Sequence, residues 1–364
     1  MFGFIFWRSR HGPLDRLSRL LVPMAGCFLL GGCSTLDYYQ QLARGQFALL
    51  RAREPVAQTI ADPRTAPTLR ARLVDAQQAR TFASEQLGLP DNRSYRLYAD
   101  IHRPYVVWNL FATPEFSLEP VQHCFPIAGC VAYRGYYQQG RARGAAALMR
   151  LQGLDVYLGG VEAYSTLGWF DDPILSSMVG WDSERLASLI FHELAHQLIY
   201  APGDTAFNES YATFVEQEGT RQWRRARSLP PLEQAPEAKQ AAFVQLVLGL
   251  RDHLGALYAQ PMAPMVMRAR KAALIEQFRR DYRQLRDSIW QGKGPYDSWV
   301  QGPINNAKLL PFGLYDQYVP AFARLYERAG QNWRAFHEAV RSLAGQSAEA
   351  RQRALQALLA EGSV

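Results

Sequence analysis

The chain reads as α+β, and three observations lead there. From Arg93 to about Tyr164, aromatic and β-branched residues cluster in short runs parted by Pro and Gly. From Asp182 onward, apolar residues recur at three- and four-residue spacing almost to the end. No period of about 20–50 residues repeats, so a repeat solenoid is excluded. A small strand region followed by a mostly helical C-terminal region is the architecture these patterns predict.

The elements follow in chain order. "LDYYQQLARGQFALLRA" and "APTLRARLVDAQQARTFASEQLG" predict two helices between residues 35 and 88, with "ADPRTAP" between them and Gly88 and Pro90 closing the second. "SYRLYADI", "YVVWNLFAT", "CVAYRGYY" and "LDVYLGGVEAY" predict strands, and an Ala/Arg-rich helix near Gln138 to Gln152 separates the last two. Asp182 or Ser183 caps the helix "ERLASLIFHELAHQLIY", and a second helix starts after Asp204 or Thr205. Long helical patterns cover 236–259 and 264–291. A Gly/Pro/Asn-rich break, "GKGPYDSWVQGPINNAK", and three shorter helices follow, the tail from Ser347 reading as a solvated terminal helix. The segments expected are a leader over 1–32, a helical region over 33–92, a β-rich part over 93–181 and a helical part over 182–364, with 93–364 forming one catalytic unit.

The net charge of +7 is not the mark of a nucleic-acid surface. Arg8, Arg10, Arg16 and Arg19 against Asp15 place about +3 of it in the first 32 residues, leaving about +4. Only Lys239, Lys271, Lys293 and Lys308 are lysines, and no basic run is interleaved with aromatics. No nucleic-acid partner is expected.

The N-terminus has the form of a targeting segment. Basic residues precede "LLVPMAGCFLL", an apolar run too short to span a membrane, and it ends in "LGGCS". This ending resembles the lipobox of bacterial lipoproteins, with Gly31 a tolerated variant; a leader cut elsewhere is the competing reading. The resemblance implies cleavage before Cys33, lipid on its thiol and, with Ser34 following, anchoring to the outer membrane facing the periplasm. Cys124 and Cys130 are then the only pair in the mature chain. Six apart around a Pro-Gly turn in an exported protein, they are expected to form a disulfide. A zinc knuckle would need more ligands than this pair and His123 offer.

The chemistry lies in "FHELAHQLIYAPGDTAFNESYATFVE". A helix turns about 100° and rises about 1.5 Å per residue, which puts His192 and His196 on one face about 6 Å apart along the axis. Two imidazoles so placed suit one tetrahedral zinc, with Glu193 beside them as general base. Glu209 and Glu216 lie about 10 Å apart along the next helix and cannot share an ion. If the turn "APGD" reverses the chain, equal distances from it bring His196 level with Glu209. Glu209 is therefore the third ligand, while Glu216 serves either as acceptor for a histidine N–H or as an ordinary helix carboxylate.

"HELAH" followed by "NESYATFVE" resembles the gluzincin zinc peptidases, and the second piece resembles the Asn-Glu-Gly-Phe-Ala stretch of the aminopeptidase N family. Ser210 and Tyr211 stand where that family has Gly and Phe, and the gap of twelve residues between His196 and Glu209 is shorter than theirs. With "CFPIAGCVAYRGYY", "GGVEAYSTLGWFDDPILS" and "NNAKL", the chain from Cys124 to Phe322 resembles a family of bacterial lipoproteins that carries an aminopeptidase name. The resemblance implies a zincin-like fold, a small mixed sheet packed on an active-site helix pair, with one Zn2+ per chain and a peptide or protein substrate. Related peptidases stabilise the oxyanion with a downstream Tyr or His. His253 and His337 are the only later histidines, and Tyr315, Tyr318 and Tyr296 are the tyrosine candidates; packing is the competing role for each.

Upstream, "DVYLGGVEAYSTLGWF" is expected to supply an edge strand for an extended substrate, with Gly159 and Gly160 permitting close approach. Glu162 either holds a free amino group, as a strand glutamate does in aminopeptidase N, or faces solvent. Trp169 and Phe170 are expected in the core, and Asp171 and Asp172 in a turn. An exopeptidase, an endopeptidase of envelope proteins and a noncatalytic zinc-containing binding module all remain compatible with this pattern. Glu193 argues against the last, since a structural site needs no base.

Overall fold

The computed structural model describes residues 36–125, 129–163, 165–230, 236–292, 294–312 and 317–361. The leader, the lipidation candidate Cys33 and Tyr315 fall outside these residues. The chain divides into two units, the first ending at Arg51 and the second running from Ala52. Of the first, the described part is helix α1, residues 36–51.

The second unit is mixed α+β with small sheets and a helical C-terminal region. It opens with strand β1 (Arg53–Pro55) and a short helix α2 (Val56–Ala61), neither legible in the sequence pattern. Helix α3 (Pro67–Glu85) starts on a proline, whose missing N–H costs nothing at a first turn. β1 pairs antiparallel with β2 (Leu97–Ala99), and β2 pairs parallel with β8 (Ile174–Leu175). A second sheet has β3 (Val107–Pro114) at its centre, with β6 (Tyr133–Tyr136) and β7 (Leu154–Val161) antiparallel on either side. Hairpin β4 (His123–Phe125) and β5 (Gly129–Val131) places Cys124 opposite Cys130, and a disulfide joins them.

The first predicted strand shrinks to three residues for a backbone reason. Tyr95 and His102 both take positive φ, 62° and 50°, which bulky residues rarely adopt and which end a strand on either side. Helix α4 (Gln139–Leu151) covers the second sheet through buried Ala142 and Ala146, which let helix and strands approach closely.

Helices α5 (Ser183–Leu198) and α6 (Thr205–Ala226) form the central hairpin. Asp182 accepts the N–H of Arg185 at 2.7 Å to start α5, and Asp204 accepts that of Phe207 at 3.0 Å to start α6. α3 packs on α5, with Phe82 between Phe191 (6.0 Å between ring centres) and Trp223 (5.2 Å). Gly219 lets α6 lie against this layer, since a Cβ there would sit 2.7 Å from Leu87 and 3.1 Å from Phe191.

Helices α7 (Pro236–Tyr258) and α8 (Pro264–Ser288) pair around their own core of Phe243, Val247, Leu254, Phe278 and Tyr282. The expected break after α8 contains two short helices, α9 (Asp297–Gln301) and α10 (Asn306–Leu309). Buried Asn306 donates to the carbonyls of Glu115 and Ser117, both at 2.9 Å, and Asn305 donates to that of Val156 at 3.0 Å. The "NNAKL" stretch thus docks this segment onto the sheet.

α11 (Val319–Arg328), α12 (Trp333–Ala344) and α13 (Ala348–Ala360) close the fold. The tail is not merely solvated. Arg351, Leu355 and Leu358 of α13 are buried, and Arg351 reaches Asp204, the cap of α6, at 2.7 Å.

His337 of α12 is a core residue, 4% exposed. Its Nδ1 accepts from the Tyr211 hydroxyl at 3.0 Å and its Nε2–H donates to the carbonyl of Leu87 at 2.9 Å. Burial pulls its pKa down to about 4. The folded value lies below the unfolded one near 6.5, so the unfolded chain takes up the proton first and stability falls as pH drops from about 6.5 towards 4. The loss at the acid end is on the order of 3 kcal/mol. Denaturant unfolding at pH 7.5 and pH 5 is expected to show wild type losing markedly more stability between the two than His337→Gln; equal losses would contradict this.

Candidate metal centre and active site

The turn between α5 and α6 is held by one buried side chain. Asn208, 1% exposed, accepts the N–H of Ala201 at 2.7 Å and donates to the C=O of the same residue at 2.8 Å. This clasp fixes how far each helix runs from the turn, and so which residues of the two face each other.

Across the hairpin, His192, His196 and Glu209 come together. The two Nε2 atoms are 3.1 Å apart, and Glu209 Oε2 stands 3.4 Å from the first and 3.6 Å from the second. A tetrahedral zinc with ligands at about 2.0–2.2 Å requires ligand–ligand edges of about 3.3–3.6 Å. The donor set fits such an ion, and the spacing fits once the two imidazoles part by a few tenths of an ångström. A cation at this point would take the place of the proton that His192 Nε2 otherwise shares with Glu209.

Behind this trio, Glu216 Oε2 lies 2.9 Å from His192 Nδ1. Accepting the proton there, it leaves the Nε2 lone pair free and turned towards His196 and Glu209. The Nδ1 of His196 is buried and has no hydrogen-bond partner among the described residues.

The electrostatics favour positive charge at the cluster. Burial alone would lower the pKa of His192, but bonding to Glu209 and Glu216, with their charge and that of Glu193, pushes it up to about 10. Burial would raise Glu209, yet the two histidines hold it down at about 2. The same field would stabilise a divalent ion.

Glu193 is half-buried on the next stripe of α5, four residues before Gln197. Two segments lie against that stripe. In the first, Asn92 donates to Gln197 at 2.7 Å, and the fully buried guanidinium of Arg80 binds the carbonyls of Pro90 (2.7 Å), Asn92 (3.0 Å) and Ser94 (3.0 Å). Burial lowers the pKa of Arg80 to about 10, leaving it charged at neutral pH. This clasp holds the positive-φ Tyr95, whose phenol is raised well above its usual pKa by burial and then by the charges of Glu193 and Asp172.

The second segment is the loop over 165–172, with Gly168 against Gln197. Asp172 is buried; its carboxylate accepts the Thr166 N–H at 2.9 Å and the Thr166 hydroxyl at 2.8 Å. It does make the expected turn, but Trp169 and Phe170 are not in the core: they are 86% and 45% exposed on the turn it braces.

The remaining sequence-predicted residues are placed as follows. β7 is the outermost strand in the order β6-β3-β7, although Asn305 occupies the carbonyl of Val156. A Cβ on Gly160 would fall 2.5 Å from the Tyr105 ring, so this glycine makes room for that ring. Glu162 is taken up by Arg185 at 2.9 Å and Trp181 at 3.1 Å, two turns before His192 on α5. Tyr318 is buried at the head of α11, where its N–H donates to Ser210 Oγ at 3.1 Å and Asp204 lends its hydroxyl a negative neighbour. Tyr296 lines a cavity with His192 and Glu209. Tyr133 of β6 was not singled out from the sequence, where it is one aromatic of a strand. Burial, then the Glu209 carboxylate, raises its pKa, which places its phenol within the field of the ligand cluster.

A hairpin presenting two imidazoles and a carboxylate to one point, with a further carboxylate alongside, defines a centre suited to a metal and a general base. Residues 37–355 match the model of the family described as "Putative aminopeptidase", and the chain belongs to that family. No curated protein and no solved structure matches it.

Replacing Glu216 by Gln removes the charged acceptor behind His192. Isothermal titration with Zn2+ is expected to show affinity about 10–100-fold weaker with the fold unchanged. Affinity equal to wild type would remove Glu216 from the site.

Proposed function

We propose that the protein is a zinc-dependent aminopeptidase of the gluzincin type. The observation that carries this reading is the convergence of His192 Nε2, His196 Nε2 and Glu209 Oε2 within 3.1–3.6 Å of one another beside Glu193. The family description supports the choice of substrate. The lipobox-like "LGGCS" supports a lipid anchor at Cys33 and action in the bacterial envelope. Among the described residues no helix is long and apolar enough to cross a membrane.

His192, His196 and Glu209 would hold the ion, and Glu216 keeps His192 in the tautomer that ligates. When bound, zinc supplies Lewis acidity towards water and towards a peptide carbonyl. Glu193 accepts a proton from the attacking water and returns it to the departing amine. The segment clasped by Arg80 and the turn braced by Asp172 pack on Gln197, one turn further along the same stripe of the helix. Tyr296, which lines the cavity with His192 and Glu209, and Tyr133, within the field of Glu209, are candidate donors to negative charge developing on the substrate.

Glu193→Gln preserves shape and removes the base. Zinc content is expected to stay at one per chain while release of amino-terminal residues falls by about two to four orders of magnitude. Chelation should abolish activity in the wild type and added Zn2+ restore it. Cleavage inside amino-blocked peptides would instead make the protein an endopeptidase, and zinc without any hydrolysis would make it a binding module.

A further inference from the structure

The ligand cluster opens on a cavity of about 580 Å³, within the usual range of about 300–1,000 Å³ for small-molecule sites. His192, Glu209 and Glu216 form one end. The lining also holds an aromatic cluster: the rings of Phe243 and Tyr296 stack at 3.9 Å and an interplanar angle of 3°, and Phe312 meets Phe243 edge-on at 5.8 Å. Phe243 also belongs to the core between α7 and α8, so this wall is backed by packed side chains rather than by a mobile loop.

We propose that this cavity is the specificity pocket for the amino-terminal residue of the substrate and that it selects a large apolar side chain, such as Phe, Leu or Met. The inference rests on the peptidase reading and names its substrate class. No lysine or arginine lines the cavity among the described residues, and the charge of Glu209 and Glu216 is taken up at the metal end by His192 and the ion it would hold. An acidic side chain would find no cationic partner along the aromatic wall. A basic one would have to bury its charge against the Phe243–Tyr296 wall, at a cost that an apolar side chain does not bear. The polar lining, Thr213, Gln217 and Gln240, is neutral. A small residue would leave the aromatic wall without contacts, and each missing methylene costs about tenfold or more in kcat/KM.

Ala241 lines the cavity from an exposed position on α7, so bulk added there enters the space without disturbing a core. The test compares wild type, Ala241→Trp and Val244→Phe. Two readouts are used: kcat/KM on peptides with Phe, Leu, Ala, Lys or Glu at the first position, and calorimetric binding of phenylalanine and alanine hydroxamates, which needs no turnover. Wild type is expected to prefer Phe and Leu over Ala. Both variants should lose that preference by about tenfold or more, with zinc content and Tm retained.

An unchanged preference in two folded, zinc-loaded variants would overturn the pocket, as would a wild-type preference for Lys or Glu or selectivity confined to the second residue. The two readings fail separately. Hydroxamate discrimination that Ala241→Trp abolishes, without hydrolysis of any peptide, would keep the pocket and remove the peptidase. Hydrolysis with indifferent hydroxamate binding would do the reverse.

Discussion

The centre depends on the double hydrogen bond between the Asn208 side chain and the backbone of Ala201. Helices α5 and α6 each carry ligands at fixed intervals, but their relative register is decided at the turn. A one-residue slip of α6 would swing the Glu209 carboxylate about 100° around its helix and break the cluster. Asn208 prevents that by meeting both the donor and the acceptor of one buried peptide residue. Removing it would leave the buried Ala201 N–H unpaired, at about 1–3 kcal/mol, while the Ala201 carbonyl keeps the Asp204 N–H at 3.2 Å. Asp204 adds a second restraint as the cap of α6, and Arg351 from the last helix holds Asp204 in turn. The fold's far end thus tightens the turn that sets the spacing of His192, His196 and Glu209.

Around that hairpin the protein places charge with care. Glu216, Glu209 and Glu193 surround His192, and the resulting field is the reason its pKa stands at about 10. On the Glu193 stripe the surroundings are different: buried Tyr95, buried Asp172 and two braced segments. The backbone at Tyr95 sits in a region that costs of order 1–3 kcal/mol for a bulky residue, held by the Arg80 clasp and by its N–H bond to the Asp172 carbonyl at 2.6 Å.

Much of this was legible in the sequence because it is local. Helix periodicity located α3 to α8 and α11 to α13, and helical geometry alone put His192 and His196 on one face and Glu209 opposite His196. Other features had no local signal. A buried arginine such as Arg80 looks in sequence like any other arginine of a helix, and only the fold shows that it binds three carbonyls. Positive φ at Tyr95 is held by the Arg80 clasp and the Asp172 carbonyl, which no local pattern announces, so the first strand is shorter than its run of aromatic and β-branched residues predicts. Trp169 and Phe170 carry the composition of a core yet stand on an exposed turn. Glu162, by sequence a candidate for holding an amino group, is engaged by Arg185 of α5 and by Trp181 just before that helix. The cavity is assembled from α5, α6, α7, α11 and two connecting segments, and no single stretch of sequence announces it.

The most direct test of the account is a crystal structure of the zinc-loaded protein with anomalous data at the zinc edge. One anomalous peak is expected, about 2.0–2.2 Å from His192 Nε2, His196 Nε2 and Glu209 Oε2, with Glu216 on His192 Nδ1 and not on the ion. A peak coordinated by Glu216, a peak elsewhere in the chain, or none at all in zinc-saturated crystals would contradict the assignment of these three residues as the metal centre.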